Sequence, residues 1–103
     1  MIRHFVALRF KAGTLPSIKQ GLMDDLAGLS DRIDGILDFQ FRPNIGVEDQ
    51  MVRGYRDVFW FDFRDTNVRD SYLNDPVHQE IGGRIVAALE GGPDGVFVFD
   101  YVV

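Results

Sequence analysis

The sequence predicts an α+β fold in which two helices cover one face of a four-stranded antiparallel sheet. Three observations carry this. Four segments alternate apolar and polar residues with the period of a strand, and two others place apolar residues at helical spacing. Gly, Pro, Asn and Asp mark the junctions between them. With 103 residues and no linker, repeat or low-complexity stretch, the chain predicts one domain over residues 1–103.

Residues 2 to 11 alternate, with Ile2, His4, Val6, Leu8 and Phe10 on one face and Arg3, Phe5, Ala7, Arg9 and Lys11 on the other. Thr14 and Pro16 open a helix whose apolar face is Ile18, Leu22, Leu26, Leu29 and Ile33, and Gly35 ends it. Residues 36 to 43 form the second strand, with Leu37, Phe39 and Phe41 on one face and Asp38, Gln40 and Arg42 on the other. A loop then runs to Gly54, longer than most hairpin connections. The third strand spans residues 55 to 64: Asp57, Phe59, Phe61 and Phe63 share one face, Val58, Trp60 and Asp62 the other.

Asp65-Thr66 caps a short helix carrying Val68, Tyr72 and Leu73. Asp75-Pro76 breaks it and starts another, with His78, Ile81, Ile85 and Leu89 on one side. A turn at residues 91 to 95 leads to the last strand, residues 96 to 103. The order β-α-β-β-α-β is the ferredoxin-like pattern, with sheet order 4-1-3-2. Its helix-covered face should carry Val6, Leu8, Phe39, Phe41, Phe59, Phe61, Val96 and Val98.

The opposite face should carry Phe5, Ala7, Val58, Trp60, Phe97, Phe99 and Tyr101, with no helix left to cover them. An apolar patch of that size predicts an association surface. We expect a homodimer with the sheets face to face through Phe5, Trp60, Phe97 and Phe99, closing a dimeric α/β barrel. A net charge of −5 with no basic patch argues against nucleic acid and acidic membrane surfaces. The absence of cysteine excludes disulfides, thiolate zinc sites and cysteine nucleophiles. The charged opening, residues 1 to 11, predicts no signal peptide or membrane span and a cytoplasmic protein.

The run from Tyr72 to Gln79 holds most of the chemistry, because it sets a phenol and an imidazole on either side of a helix break. Strand one runs antiparallel to strands three and four, so the topology places His4 beside Asp100 at the end from which the broken helix leaves. His78, Tyr72, Asp100 and His4 should therefore converge at one end of a Phe-lined cavity suited to a small apolar or aromatic ligand. Neutral His78 could take a proton next to a carbonyl, Asp100 could hold its tautomer, and Tyr72 could donate to the enolate oxygen. A purely structural part is open to each: His4 as a space-filling strand residue, Tyr72 as core, and Asp100 as partner of a cation such as Arg3. Two His and scattered Asp at no ligand spacing predict no metal, and no cofactor is expected.

Several segments in matching order resemble the stress-responsive A/B barrel domain (Dabb) family. They are Ile2-Arg3-His4 through Phe10-Lys11, Gly35-Ile36-Leu37-Asp38-Phe39, Gly54-Tyr55, Tyr72-Leu73 with Pro76-Val77-His78-Gln79, and Asp100-Tyr101. The resemblance implies a small dimeric α+β barrel. Most members have no assigned reaction. One plant branch cyclises linear polyketides by intramolecular aldol condensation without metal or cofactor. There a His matching His78 is the base, a Tyr matching Tyr72 binds the substrate oxygen, a His matching His4 lines the pocket, and an Asp matching Asp100 lies near the base. The chain departs from many relatives at Asp75, at Arg56-Asp57 and at Gln79-Glu80-Ile81. Three functions are therefore weighed: cofactor-independent cyclase-like enolisation, a non-catalytic dimeric stress or binding protein, and a cofactor-free monooxygenase by analogy with another family on the same barrel.

Overall fold

The computed structural model describes residues 1–103. Its elements are β1 (Ile2–Leu8), α1 (Pro16–Ala27), β2 (Ile36–Pro43), α2 (Asp49–Val52), β3 (Asp57–Phe63), α3 (Thr66–Asn74), α4 (Pro76–Ala87) and β4 (Val96–Val102). Single 3-10 turns follow α1 at Gly28–Asp31 and precede β4 at Gly92–Gly95. The sheet order is β2-β3-β1-β4, the expected order, and every neighbouring pair is antiparallel. The fold is thus the ferredoxin-like α+β arrangement.

β1 lies between β3 and β4, and its register fixes both faces of the sheet. Val6 stands opposite Phe59 and Val98, and His4 opposite Phe61 and Asp100. Phe5 stands opposite Trp60 and Phe99. The inward row packs against helix residues Leu22, Met23 and Leu26 of α1, Val68 and Tyr72 of α3, and Ile81 and Ile85 of α4. Phe61 is the centre of an aromatic stack: Phe63 lies 5.5 Å away nearly parallel, and Tyr72 meets it edge-on at 4.8 Å. Such pairs add to the area they bury.

Several expectations need correcting. β1 stops at Leu8 rather than residue 11, and Phe10 makes only an isolated bridge to Leu89. Thr14 does not cap α1: its hydroxyl donates to the Lys11 carbonyl, and Leu15 stands at the cap with Pro16 following. α1 ends at Ala27 and continues as the 3-10 turn, not as helix to Gly35. Its buried stripe includes Met23 and leaves Ile18 exposed. The loop from Asn44 to Gly54 contains the helical turn α2, and β3 is shorter by two residues at its start and one at its end than expected.

Two corrections matter for the faces. A bulge between Ile36 and Asp38 shifts the register of β2, so Ile36 packs on the core while Leu37 is 57% exposed. A bulge places one extra residue in a strand and breaks the alternation there. Val98 does point to the helix side, yet it is 46% exposed, because the helices leave that part of β4 open.

Gly35 makes the turn into β2 with φ +96°, and a Cβ there would come within 2.5 Å of a Val68 methyl. Gly35→Ala should therefore cost about 1–3 kcal/mol, read from urea denaturation. An unchanged midpoint would contradict this account of the turn.

Candidate functional site

The site is built where the helix break meets the β1–β4 ladder. Asp65 caps α3 by accepting from the Val68 amide at 3.0 Å. The chain leaves α3 at Asp75, whose backbone is extended as the residue before a proline prefers, and Pro76 opens α4. The Asp75 carboxylate accepts from the amides of Val77 at 2.8 Å and His78 at 3.2 Å, and from the Arg32 guanidinium at 2.9 Å. Burial opposes its ionisation, but the hydrogen bonds from Arg32, His78 and Val77 outweigh it and hold the carboxyl below its ordinary range. Tyr72 in the last turn of α3 and His78 in the first turn of α4 are thereby brought together. Their ring centroids are 3.8 Å apart at 62°.

From the sheet, the register sets His4 and Asp100 opposite each other. His4 Nδ1 and Asp100 Oδ1 are 2.7 Å apart. The other carboxylate oxygen of Asp100 accepts from Arg69 at 3.2 Å. The His4 ring lies 5.4 Å from that of Tyr72 and 6.0 Å from that of Phe63. His4 and Tyr72 are buried, and His78 is half-buried.

The four residues line one cavity of about 290 Å³. Val6 and Leu8 of β1, Phe59 of β3, Val96 and Val98 of β4, Leu26 of α1, Leu73 of α3, and Gly82, Ile85 and Val86 of α4 complete its wall. Apart from Tyr72, nine of the fourteen lining residues are hydrophobic, and the four polar residues stand together at one end of this apolar chamber. That is the usual form of a small-molecule site, at the lower end of the size range. No group of three His, Asp or Glu is placed to hold a metal ion.

The electrostatics separate the groups. Burial, then the Asp100 charge, pushes the Tyr72 phenol above its ordinary value, so it stays a hydroxyl. Burial, with the charge His4 would carry, holds His78 below its ordinary 6.5; Asp75 and the backbone carbonyls of Tyr72 and Leu73 oppose this and lose. His78 Nδ1 is buried without a hydrogen-bond partner. A buried polar atom left without a partner is rare enough to need an explanation.

The four residues the sequence singled out line one cavity, but two of them are paired differently than expected. Asp100 was expected to hold the tautomer of His78; its carboxylate is taken by His4 and Arg69 instead. The register explains this, since Asp100 faces His4 directly across one strand gap while His78 approaches from the helix layer. Arg3 does not reach Asp100, because it forms a two-point pair with Asp62 on the outer face. Sequence reasoning missed Arg69, which nothing distinguishes from other arginines on short helices, and Gly82. The adjacent glycines at 82 and 83, inside an apolar-periodic helix, were the available signal.

A model of the Stress responsive A/B Barrel Domain matches residues 2–103. Among solved structures, a dimeric ferredoxin-like protein of unknown function from Jannaschia sp. CCS1 is 31% identical, with TM-score 0.85 over 99% of this chain and 98% of that one. A Dabb family protein from Mesorhizobium loti is 22% identical, with TM-score 0.76 over 99% and 95%. A hydroxynitrile lyase from Passiflora edulis is 16% identical, with TM-score 0.82 over 99% and 92%, a likeness of fold. No match was found among curated proteins. With the match running from the first strand to the end of the last, the chain belongs to the stress-responsive A/B barrel domain (Dabb) family.

Proposed function

We propose that the protein is a homodimer whose cavities each bind a small apolar molecule and support cofactor-independent, cyclase-like enolisation of a carbonyl compound. The observation that carries the reaction is the His78 imidazole, edge-on to the Tyr72 ring at the polar end of the cavity. In the tautomer protonated at buried Nδ1, with the Tyr72 and Leu73 carbonyls as its backbone acceptors, Nε2 offers a lone pair. It takes the proton from the carbon next to a ligand carbonyl, and the released electron pair moves to the carbonyl oxygen. The Tyr72 hydroxyl, kept protonated by its surroundings, donates to that oxygen as charge develops.

A second reading is favoured by one observation. Asp100 serves His4 and Arg69, so no carboxylate is bonded to the His78 ring to stabilise the imidazolium formed during proton transfer. On that reading the protein is a non-catalytic dimeric stress or binding protein, and the same cavity holds its ligand without turnover.

Support for the homodimer comes from the outer face. Phe97, Phe99 and Tyr101 are 55%, 43% and 42% exposed in the single chain. They continue a stack in which Phe5 lies 4.8 Å from Phe99 and 6.2 Å from Trp60. The Jannaschia protein is described as dimeric. Covering this row with its twin removes several aromatic groups from water, each contributing about 1.5–3 kcal/mol before association costs. No helix is long and apolar enough to cross a membrane.

Light scattering at micromolar concentration should give twice the 11.7 kDa chain mass, and Phe99→Glu should give one chain mass. A stable monomeric wild type would refute the assembly. For the chemistry, exchange of the α-hydrogens of 1-phenylbutane-1,3-dione with deuterium should be accelerated by the protein. His78→Ala should lose about 10²–10⁴ of that rate with the dimer intact. Exchange that survives the substitution excludes His78 as base, and no acceleration at all favours the binding-only reading.

The lowered pKa of His78 also sets a pH dependence. Above 6.5 the imidazole is neutral in both folded and unfolded chains; as pH falls below that value the unfolded chain takes up the proton first. Activity should be flat near pH 7, and both activity and stability should decline as pH drops through the folded value. A rate that falls on going from about pH 6 to 7 would contradict this sign.

A further inference from the structure

The cavity wall holds two features that the proton-transfer reading does not use: its charge and a missing side chain. No Lys or Arg lines it, and its one carboxylate is Asp100. Arg69, the cation bonded to that carboxylate, is held by Asp100 at 3.2 Å and by Asp70 at 3.1 Å. A ligand carboxylate at the polar end would meet Asp100, and the groups there able to carry positive charge, His4 and Arg69, are already engaged by Asp100. Desolvation of a charge without a partner is costly, and a like charge adds to that cost.

Gly82 lies one helical turn beyond His78 and on the same side of α4, where the two share the cavity wall. Glycine is the least favourable helix residue after proline. Its backbone there does not need the left-handed region, and a Cβ at 82 would meet nothing within 4 Å. Neither conformation nor close packing therefore calls for glycine at this position. The neighbouring Gly83 is equally unencumbered, but it does not line the cavity. What the bare backbone at 82 leaves is room beside His78.

We propose that the cavity admits an uncharged ligand whose apolar body lies against the backbone of Gly82 and whose one polar atom meets Tyr72 and His78, and that it turns carboxylates away. This rests on the reading of the cavity as a ligand site and names the class of molecule it takes. The resistance of buried His78 to protonation works in the same direction, since it keeps the imidazole from becoming a cation free to pair with such a ligand.

The test uses two probes of the same shape, 2-naphthol and 2-naphthoate, titrated into the full chain at neutral pH by calorimetry and by amide chemical shifts. 2-Naphthol should bind at least about tenfold more tightly than 2-naphthoate, with shifts centred on Gly82 and His78. Gly82→Leu should weaken 2-naphthol by about tenfold or more. Gly82→Ala and Gly83→Ala should both raise Tm by a few degrees, and only the change at 82 should weaken binding. If neither probe binds the wild type, the ligand-site reading itself fails. If 2-naphthoate binds as tightly as 2-naphthol, the cavity is a ligand site and the selectivity inferred here is wrong. If Gly82→Leu remains folded and binds 2-naphthol unchanged, the ligand does not lie against Gly82.

Discussion

The alternation of β1 is the constraint on which the rest of the molecule depends. This strand sits between β3 and β4, so each of its residues is paired on both sides. A strand presents successive side chains to opposite faces, and a slip of one residue would exchange the whole set. His4, Val6 and Leu8 therefore go to the helix layer together, while Arg3, Phe5 and Ala7 go to the other side. The same register that aligns His4 with Asp100 aligns Phe5 with Phe99 and Trp60. The cavity and the exposed aromatic row are two consequences of one pairing.

The polar end of the cavity follows from a second local device, the cap at Asp75. Its carboxylate ends the run of α3 and α4 as one helix by binding the first free amides of α4, and Arg32 ties it to the turn after α1. That junction sets Tyr72 over His78. The result is a division among the polar groups. His4, Asp100 and Arg69 form a connected chain of hydrogen bonds, whereas His78 stands apart with one nitrogen unpaired. A chain of bonded groups holds its members in place, and the His78 imidazole lies outside that chain.

Much of this was legible in the sequence because strand alternation is a strong signal. β3 reads Asp57, Phe59, Phe61, Phe63 against Val58, Trp60, Asp62, and the structure keeps that division. The Asp75-Pro76 break was legible because proline and its preceding residue restrict the backbone. Leu37 was misplaced because a bulge cancels the period it was read from, and no residue type announces one. The partner of Asp100 was misjudged for a different reason. Topology brings both imidazoles to the same end of the sheet, and choosing between them needs the distance across one strand gap. Gly82 escaped notice because a glycine in a helix reads as a lapse in propensity until the space beside it is seen.

The claim that Asp100 belongs to His4, leaving His78 alone, is tested most directly by nitrogen-15 NMR of the two imidazoles in the wild type and in Asp100→Asn. The account predicts that His4 carries its proton on Nδ1 in the wild type, that its signals move on substitution, and that those of His78 stay essentially where they were. Signals of His78 that move while those of His4 remain would contradict it.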